Sequence, residues 1–170
     1  MPVSPRIAAA FAAGILSLGC LDRITLPDPD PSFTTNATSY TLQVSGTVQT
    51  AEVGFTYLDV SGGITALQGC TGGAVRWFLE KQVGNDWQEV YPVCTANDAE
   101  GKAVAAGGTY TSTITIIDFI EEGGAPRISH RPVAGTYRLR FGLFENINFA
   151  TGVGEIVSDG RQYSNTFTLQ

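Results

Sequence analysis

The chain has 170 residues, with 10 Lys and Arg against 16 Asp and Glu and a net charge of −6. Only Lys81 and Lys102 are lysines, so the clustered cations that neutralise phosphate are missing and a nucleic-acid partner is excluded. One histidine, His130, and three cysteines leave no multi-histidine metal cage or four-cysteine zinc site, and no cofactor is expected. An apolar share of 43% with 10% aromatics is enough for a packed core, which excludes wholesale disorder.

The first element is Arg6 followed by the apolar run Ile7 to Leu18. About 12 residues is the length of a signal-peptide core, whereas a membrane span needs about 20. The run ends Leu16-Ser17-Leu18-Gly19-Cys20, which resembles the lipobox of bacterial lipoproteins. That resemblance implies removal of residues 1–19 and a lipid on Cys20, hence membrane contact through the lipid and a place in the cell envelope, at the outer membrane. Two or three acyl chains anchor durably at about 0.8 kcal/mol per buried methylene. Residues 20–39 are expected to form a tether, because Pro27, Pro29 and Pro31 alternate with Asp28 and Asp30 and favour an extended, solvated chain. From Asp22 to Ser39 it could reach about 50 Å at about 3.1 Å per residue. Asn36-Ala37-Thr38 fits an N-glycosylation pattern, which behind such an anchor is a chance match.

From Tyr40 to the end the pattern has period two, without a helical apolar stripe. Tyr40, Leu42 and Val44 predict a strand that stops at Gly46. Val53, Phe55 and Tyr57 predict another, closed by Ser61-Gly62-Gly63, and Ile64 to Leu67 a short third. Ala74 to Gln82 and Trp87 to Val93 flank Val83-Gly84-Asn85-Asp86 and read as a hairpin. Thr109 to Ile117 (TYTSTITII) is β-branched or aromatic except for Ser112. Thr136 to Phe144 and Gln162 to Leu169 complete seven or eight strands. Their spacing and turn signals predict an all-β, antiparallel sandwich over residues 40–170.

Cys70 and Cys94 bracket the predicted hairpin. Neighbouring antiparallel strands lie about 5 Å apart, so its two ends meet within disulfide reach. In an oxidising compartment the bond is expected to form, contributing about 3 to 4 kcal/mol by closing a loop of this length.

The order of features then becomes familiar. Strand, Cys70, a strand with Trp77 and Leu79, Trp87 and Cys94 are followed by Ala106-Gly107-Gly108-Thr109-Tyr110, Val133-Ala134-Gly135-Thr136-Tyr137-Arg138-Leu139 and Ser164-Asn165-Thr166-Phe167-Thr168-Leu169. This resembles bacterial immunoglobulin-like domains, and the GTYRLR segment resembles a strand of the BsuPI-type Ig-like proteinase-inhibitor family. The resemblance covers about residues 40 to 170 and implies an immunoglobulin-like β-sandwich. It carries over no functional residue, since Cys70 and Cys94 staple a hairpin and do not bridge two sheets.

Chemistry is sparse. His130 lies between Arg127 and Arg131 beside Ser129, without an assignable acid. Glu121, Glu122, Glu145, Glu155 and Asp159 could supply a carboxylate pair, but loop acids are ordinary surface. Glu145, Asn146, Asn148 and Asp159 lack a calcium-loop signature. Trp77, Trp87 and Tyr91 could stack a sugar, yet on alternating strands they read as core and cross-strand pairs. Two segments, 118–132 and 145–161, exceed what a sandwich needs. The second is apolar and predicts an added hairpin around Gly152 or a partner-binding edge, with Asn148, Phe149, Val153 and Ile156 as its candidate contacts. The expectation is a non-enzymatic, lipid-anchored binding or display module with a protein or glycan partner. A proteinase inhibitor of the BsuPI type is the alternative, and an enzyme using loop carboxylates the remotest.

Overall fold

The structure, a computed structural model, describes residues 32–94, 101–119, 127–148, 153–157 and 160–170. The expected signal, the lipobox-like run with Cys20 and the DPDP run lie outside the described residues. In chain order the strands are β1 (Phe33–Thr35), β2 (Ser39–Tyr40), β3 (Gln43–Ser45), β4 (Val48–Leu58), β5 (Thr65–Leu67), β6 (Trp77–Val83) and β7 (Asp86–Glu89). They continue as β8 (Lys102–Val104), β9 (Thr109–Phe119), β10 (Gly135–Phe141), β11 (Leu143–Asn148), β12 (Val153–Ile156) and β13 (Phe167–Leu169). Among the described residues no helix is long and apolar enough to cross a membrane.

The strands form an immunoglobulin-like β-sandwich. In the first sheet β4 and β9 pair antiparallel along their whole length, Val48 opposite Phe119 and Leu58 opposite Thr109. The far side of β4 is shared by β1 and β3. The second sheet runs β2-β13-β10-β6-β7. Alternation dictates which side chains meet between the two sheets. Val53, Phe55 and Tyr57 of β4, Ile114 and Ile116 of β9, Leu79 of β6, and Tyr137, Leu139 and Phe141 of β10 are all buried in one core. A third sheet, β12-β11-β5-β8, continues the β10 side beyond Gly142.

Strand pairing reaches into residues 20–39, the segment expected to be a tether. After Pro31 the next residues are Ser32 and Phe33, and Phe33 is fully buried, stacked on Phe141 at 4.1 Å and packed on Tyr57 at 4.6 Å. An aromatic followed by two threonines suits a strand, and burying it outweighs the extended bias of the prolines. Among the described residues strand pairing therefore already includes Phe33–Thr35, ahead of Tyr40. Asn36 belongs to this entry segment. Its Oδ1 accepts the Tyr40 hydroxyl at 2.5 Å and the Gly54 amide at 3.2 Å. A Cβ on Gly54 would come within 2.8 Å of that side-chain amide, which is why glycine stands there.

Three further strand expectations change. Tyr40 to Val44 is divided, because Leu42 and Tyr40 bond the backbone of Gln170 while Gln43–Ser45 turns to β4, leaving Val44 exposed. Thr136 to Phe144 breaks at Gly142, where a Cβ would collide with Gln68, so β10 and β11 serve different sheets. Gln162 to Leu169 contracts to Phe167–Leu169 behind a 3-10 turn at Gly160–Gln162. The hairpin holds as expected. Val83 pairs with Asp86 across a two-residue turn whose first central residue, Gly84, has φ 62°. Cys70 and Cys94 form the disulfide, Cα atoms 5.9 Å apart.

On the outer face of the second sheet, Glu80 is buried and accepts Arg138 and Arg140, each with a 2.8 Å contact. The Arg138 guanidinium lies over the rings of Trp87 and Tyr163, and Arg140 over Phe78. The aromatics here hold cations, as cross-strand neighbours, in a closed array.

Candidate functional site

The candidate site lies where β9 meets the chain leaving β7. Val90 still donates to Leu79 of β6 at 2.9 Å, but the next residues leave the sheet and cross toward β9. There the Tyr91 hydroxyl accepts from the Ile117 amide at 3.0 Å and donates to the Ile117 carbonyl at 3.2 Å. The Trp77 ring stacks on Tyr91 at 5.2 Å, and the Arg127 guanidinium sits 5.4 Å from the Tyr91 ring centre. Trp77, Tyr91, Val93, Thr115, Ile117 and Arg127, with Cys94 of the disulfide, line an open cavity of about 260 Å³.

The bonds at Ile117 also define the edge of the first sheet. In an antiparallel ladder the backbone groups of alternate residues point to opposite neighbours. Ile117 presents both groups to Tyr91 and so away from β4; by parity Thr115, Thr113 and Thr111 also present theirs outward. Among the described residues none of these three has a backbone partner on that side. Edge strands are usually blunted by lysine, proline, a bulge or a cover. Residues 109–117 contain no charge and no proline.

Arg127 is placed by the buried Asp118. Its Oδ1 accepts the amides of Arg127 at 2.7 Å and Ile128 at 3.1 Å; its Oδ2 accepts Arg131 Nη1 at 2.5 Å and Gln49 Nε2 at 3.2 Å. Burial alone would raise the Asp118 pKa, but the bonds from Ile128, Arg127 and Arg131 overcome it and hold the carboxyl below the usual aspartate range. Asp59 works similarly at the opposite end of the first sheet. Burial opposes its charge, and Ser61, Gly107 and Tyr57 outweigh that, again lowering the pKa. Burial, with help from Asp59, pushes the Tyr57 hydroxyl up to about 12.

The residues singled out from the sequence are placed as follows. Asn148 and Val153 are the last paired positions of the β11–β12 hairpin, and Ile156 stands 71% exposed; Phe149 lies outside the described residues. The hairpin expected around Gly152 therefore exists in its two strands, and buried Val157 donates to Leu143 and ties it down. Glu145 pairs with Arg161, and Asn146 donates to Glu155 at 3.0 Å, so both side chains have protein partners. Glu121 and Glu122 lie outside the described residues, as does Asp159. Ser129 Oγ is 3.5 Å from His130 Nδ1, the outer limit of a hydrogen bond, and 3.4 Å from the Val90 carbonyl. Buried Lys81 is fixed by the carbonyls of His130, at 3.3 Å, and Pro132. Burial first, then the nearby Arg131, lower its pKa. Among the described residues no three His, Cys, Asp or Glu side chains are grouped as a metal site.

Comparison with known proteins adds little. No family model matches the chain, and no curated protein matches it. Among solved structures, the Northeast Structural Genomics Consortium target SoR45 is similar with a TM-score of 0.40 and 14% identity, covering 76% of this chain and 84% of that one. The ASH/PapD-like domain 7 of human CEP192 is similar with a TM-score of 0.29 and 13% identity, covering 97% and 94%. Likeness at this level carries no argument about function, and the architecture rests on the strand pairing described above.

Proposed function

We propose that the protein is a lipid-anchored, non-catalytic immunoglobulin-like module of the cell envelope that binds a partner protein. The observation that carries the binding reading is the groove at the Ile117 end of β9. It is concave and apolar, built on strands and braced by the Cys70–Cys94 bond, which is the construction expected of a preformed recognition surface. The anchor reading draws on the lipobox-like run ending at Cys20 and the Pro/Asp spacer behind it, and the disulfide fits an oxidising compartment.

The test has two arms. Expressed in a bacterium with an outer membrane, the wild type should resist a high-salt wash, dissolve in detergent and carry a diacylglyceryl mass on Cys20, while Cys20→Ala should be soluble in the periplasm. Persistence of Cys20→Ala on membranes after the wash overturns the anchor. In the second arm a photo-crosslinking amino acid is placed in intact cells at Thr115, at Ile156 on the hairpin, or at the exposed Val44 as control. Discrete adducts from Thr115 or Ile156 but not Val44 support binding; identical patterns from all three overturn it.

A further inference from the structure

We propose that the outer edge of β9 takes up an extended peptide segment as an added strand, with an apolar side chain in the groove on Trp77 and Tyr91 and a carboxylate two residues along, on the same face, on Arg127. This rests on the binding reading above and names the chemistry of the partner. Three observations converge. Thr111, Thr113 and Thr115 present amides and carbonyls outward in strand geometry, with no backbone partner on that side among the described residues. The Tyr91 hydroxyl already pairs with the next outward position, Ile117, in the way a strand residue would, and so ends the free edge at the groove. The cavity of about 260 Å³ opens beside Thr115 and Ile117, within reach of a side chain carried by a strand on that edge. In strand addition the main chain supplies affinity, and pockets for alternate side chains supply selectivity.

Charge chooses the occupant. Arg127 stands at the groove without a carboxylate among the described residues, its guanidinium over Tyr91, whereas Arg131, Arg138, Arg140 and Arg161 are all paired. An acidic residue or a terminal carboxylate two residues from the apolar anchor, on the same face of the added strand, meets it. A second copy of the chain fits less well. β9 carries no acid between Thr109 and Ile117 to offer Arg127. A short strand edge alone also buries far less than the roughly 1,200–2,000 Å² of a stable protein–protein interface.

The experiment uses the full lipid-free protein (Cys20→Ala, signal removed) and the capped peptide acetyl-TVTVFTDVT-amide, whose Phe and Asp share one face of a strand, with binding read by titration calorimetry and amide exchange. The peptide should bind and slow exchange at Thr111, Thr113 and Thr115. Two N-methylated peptides, blocking alternate sets of amides, should differ by about tenfold or more in affinity, because only one set faces the edge. Thr113→Pro removes an outward N–H while leaving the β4 ladder intact, and should weaken binding similarly. Replacing the peptide's aspartate by lysine should weaken binding to the wild type about threefold and strengthen it to Arg127→Glu. Absence of binding, or equal effects of the two N-methylated sets, overturns the proposal, and the peptide-side comparison does not depend on any variant folding. A sedimenting dimer that Thr113→Pro dissociates overturns it in favour of a second copy. Crosslinks at Ile156 with no peptide binding would leave the binding module standing and remove only this inference.

Discussion

Asp118 links the fold to the groove, and its replacement has a magnitude that can be worked out atom by atom. In Asp118→Asn the amide oxygen can keep the Oδ1 position and the two backbone bonds from Arg127 and Ile128. The new NH2 group then faces Arg131, which has no acceptor, so that charge-assisted bond is lost, while Gln49 can turn its amide to accept from it. A charge-assisted bond contributes about 1.5–3 kcal/mol and a neutral one about 1 kcal/mol. Arg131 is 40% exposed and recovers some of its share from water. The expected cost is therefore about 2 kcal/mol. Asp118→Ala also strands the buried Ile128 amide and the half-buried Arg127 amide and should cost about 4 kcal/mol. Urea unfolding followed by tryptophan fluorescence, with the disulfide intact, measures both. If alanine is no worse than asparagine, the backbone bonds do not hold the loop, and the account of how Arg127 is placed fails.

Other predictions are independent of that one. Glu80→Gln should cost about 2 kcal/mol, less than the 3–5 kcal/mol of a fully buried ion pair because both arginines reach water, and should lower Tm by about 8 °C in a scanning calorimeter. Cys94→Ser should destabilise by about 3–4 kcal/mol in the same urea assay, with no effect from reductant on the variant. Asp59 and Asp118 have lowered pKa values in the fold, so their stabilisation is present above the ordinary aspartate pKa of about 3.9 and is lost as pH falls through the lowered folded values. Stability should fall on acidification below about pH 4, and Asp118→Asn should flatten that decline; an unchanged slope would contradict the assignment.

Alternation carried most of the fold, because in β4, β9 and β10 one face is buried and period two is written into the residues. The hairpin, its glycine turn and the disulfide were also readable, since each depends on local spacing. Phe33 was hidden because its strand has three residues and follows a run of prolines, too short for a periodic signal against that composition. Gly142 was hidden for a different reason: TYRLRFGLF reads as one strand, and only contact with Gln68, distant in sequence, divides it. The groove was the least legible region. Trp77, Tyr91, Thr115 and Arg127 come from four segments and share no motif. The uncharged run from Thr109 to Ile117 did carry a signal, but sequence alone reads it as a good strand. That its outer edge is open depends on which strands neighbour it, a matter of topology.

The pairing of β2 with β13 has a mechanical consequence. These strands lie at opposite ends of the fold in sequence yet run parallel, Ser39 beside Thr168 and Tyr40 beside Leu169, with further bonds from Thr168 to Thr38, Leu42 to Gln170 and Gln170 to Tyr40. A pull applied between the two ends of the domain therefore runs along these strands and loads their hydrogen bonds together, in shear, where a hairpin pulled from its open end would unzip bond by bond. Resistance to such a load is set by the barrier to unfolding and not by equilibrium stability. A domain held from its N-terminal side is thus gripped at the seam where β2 and β13 meet.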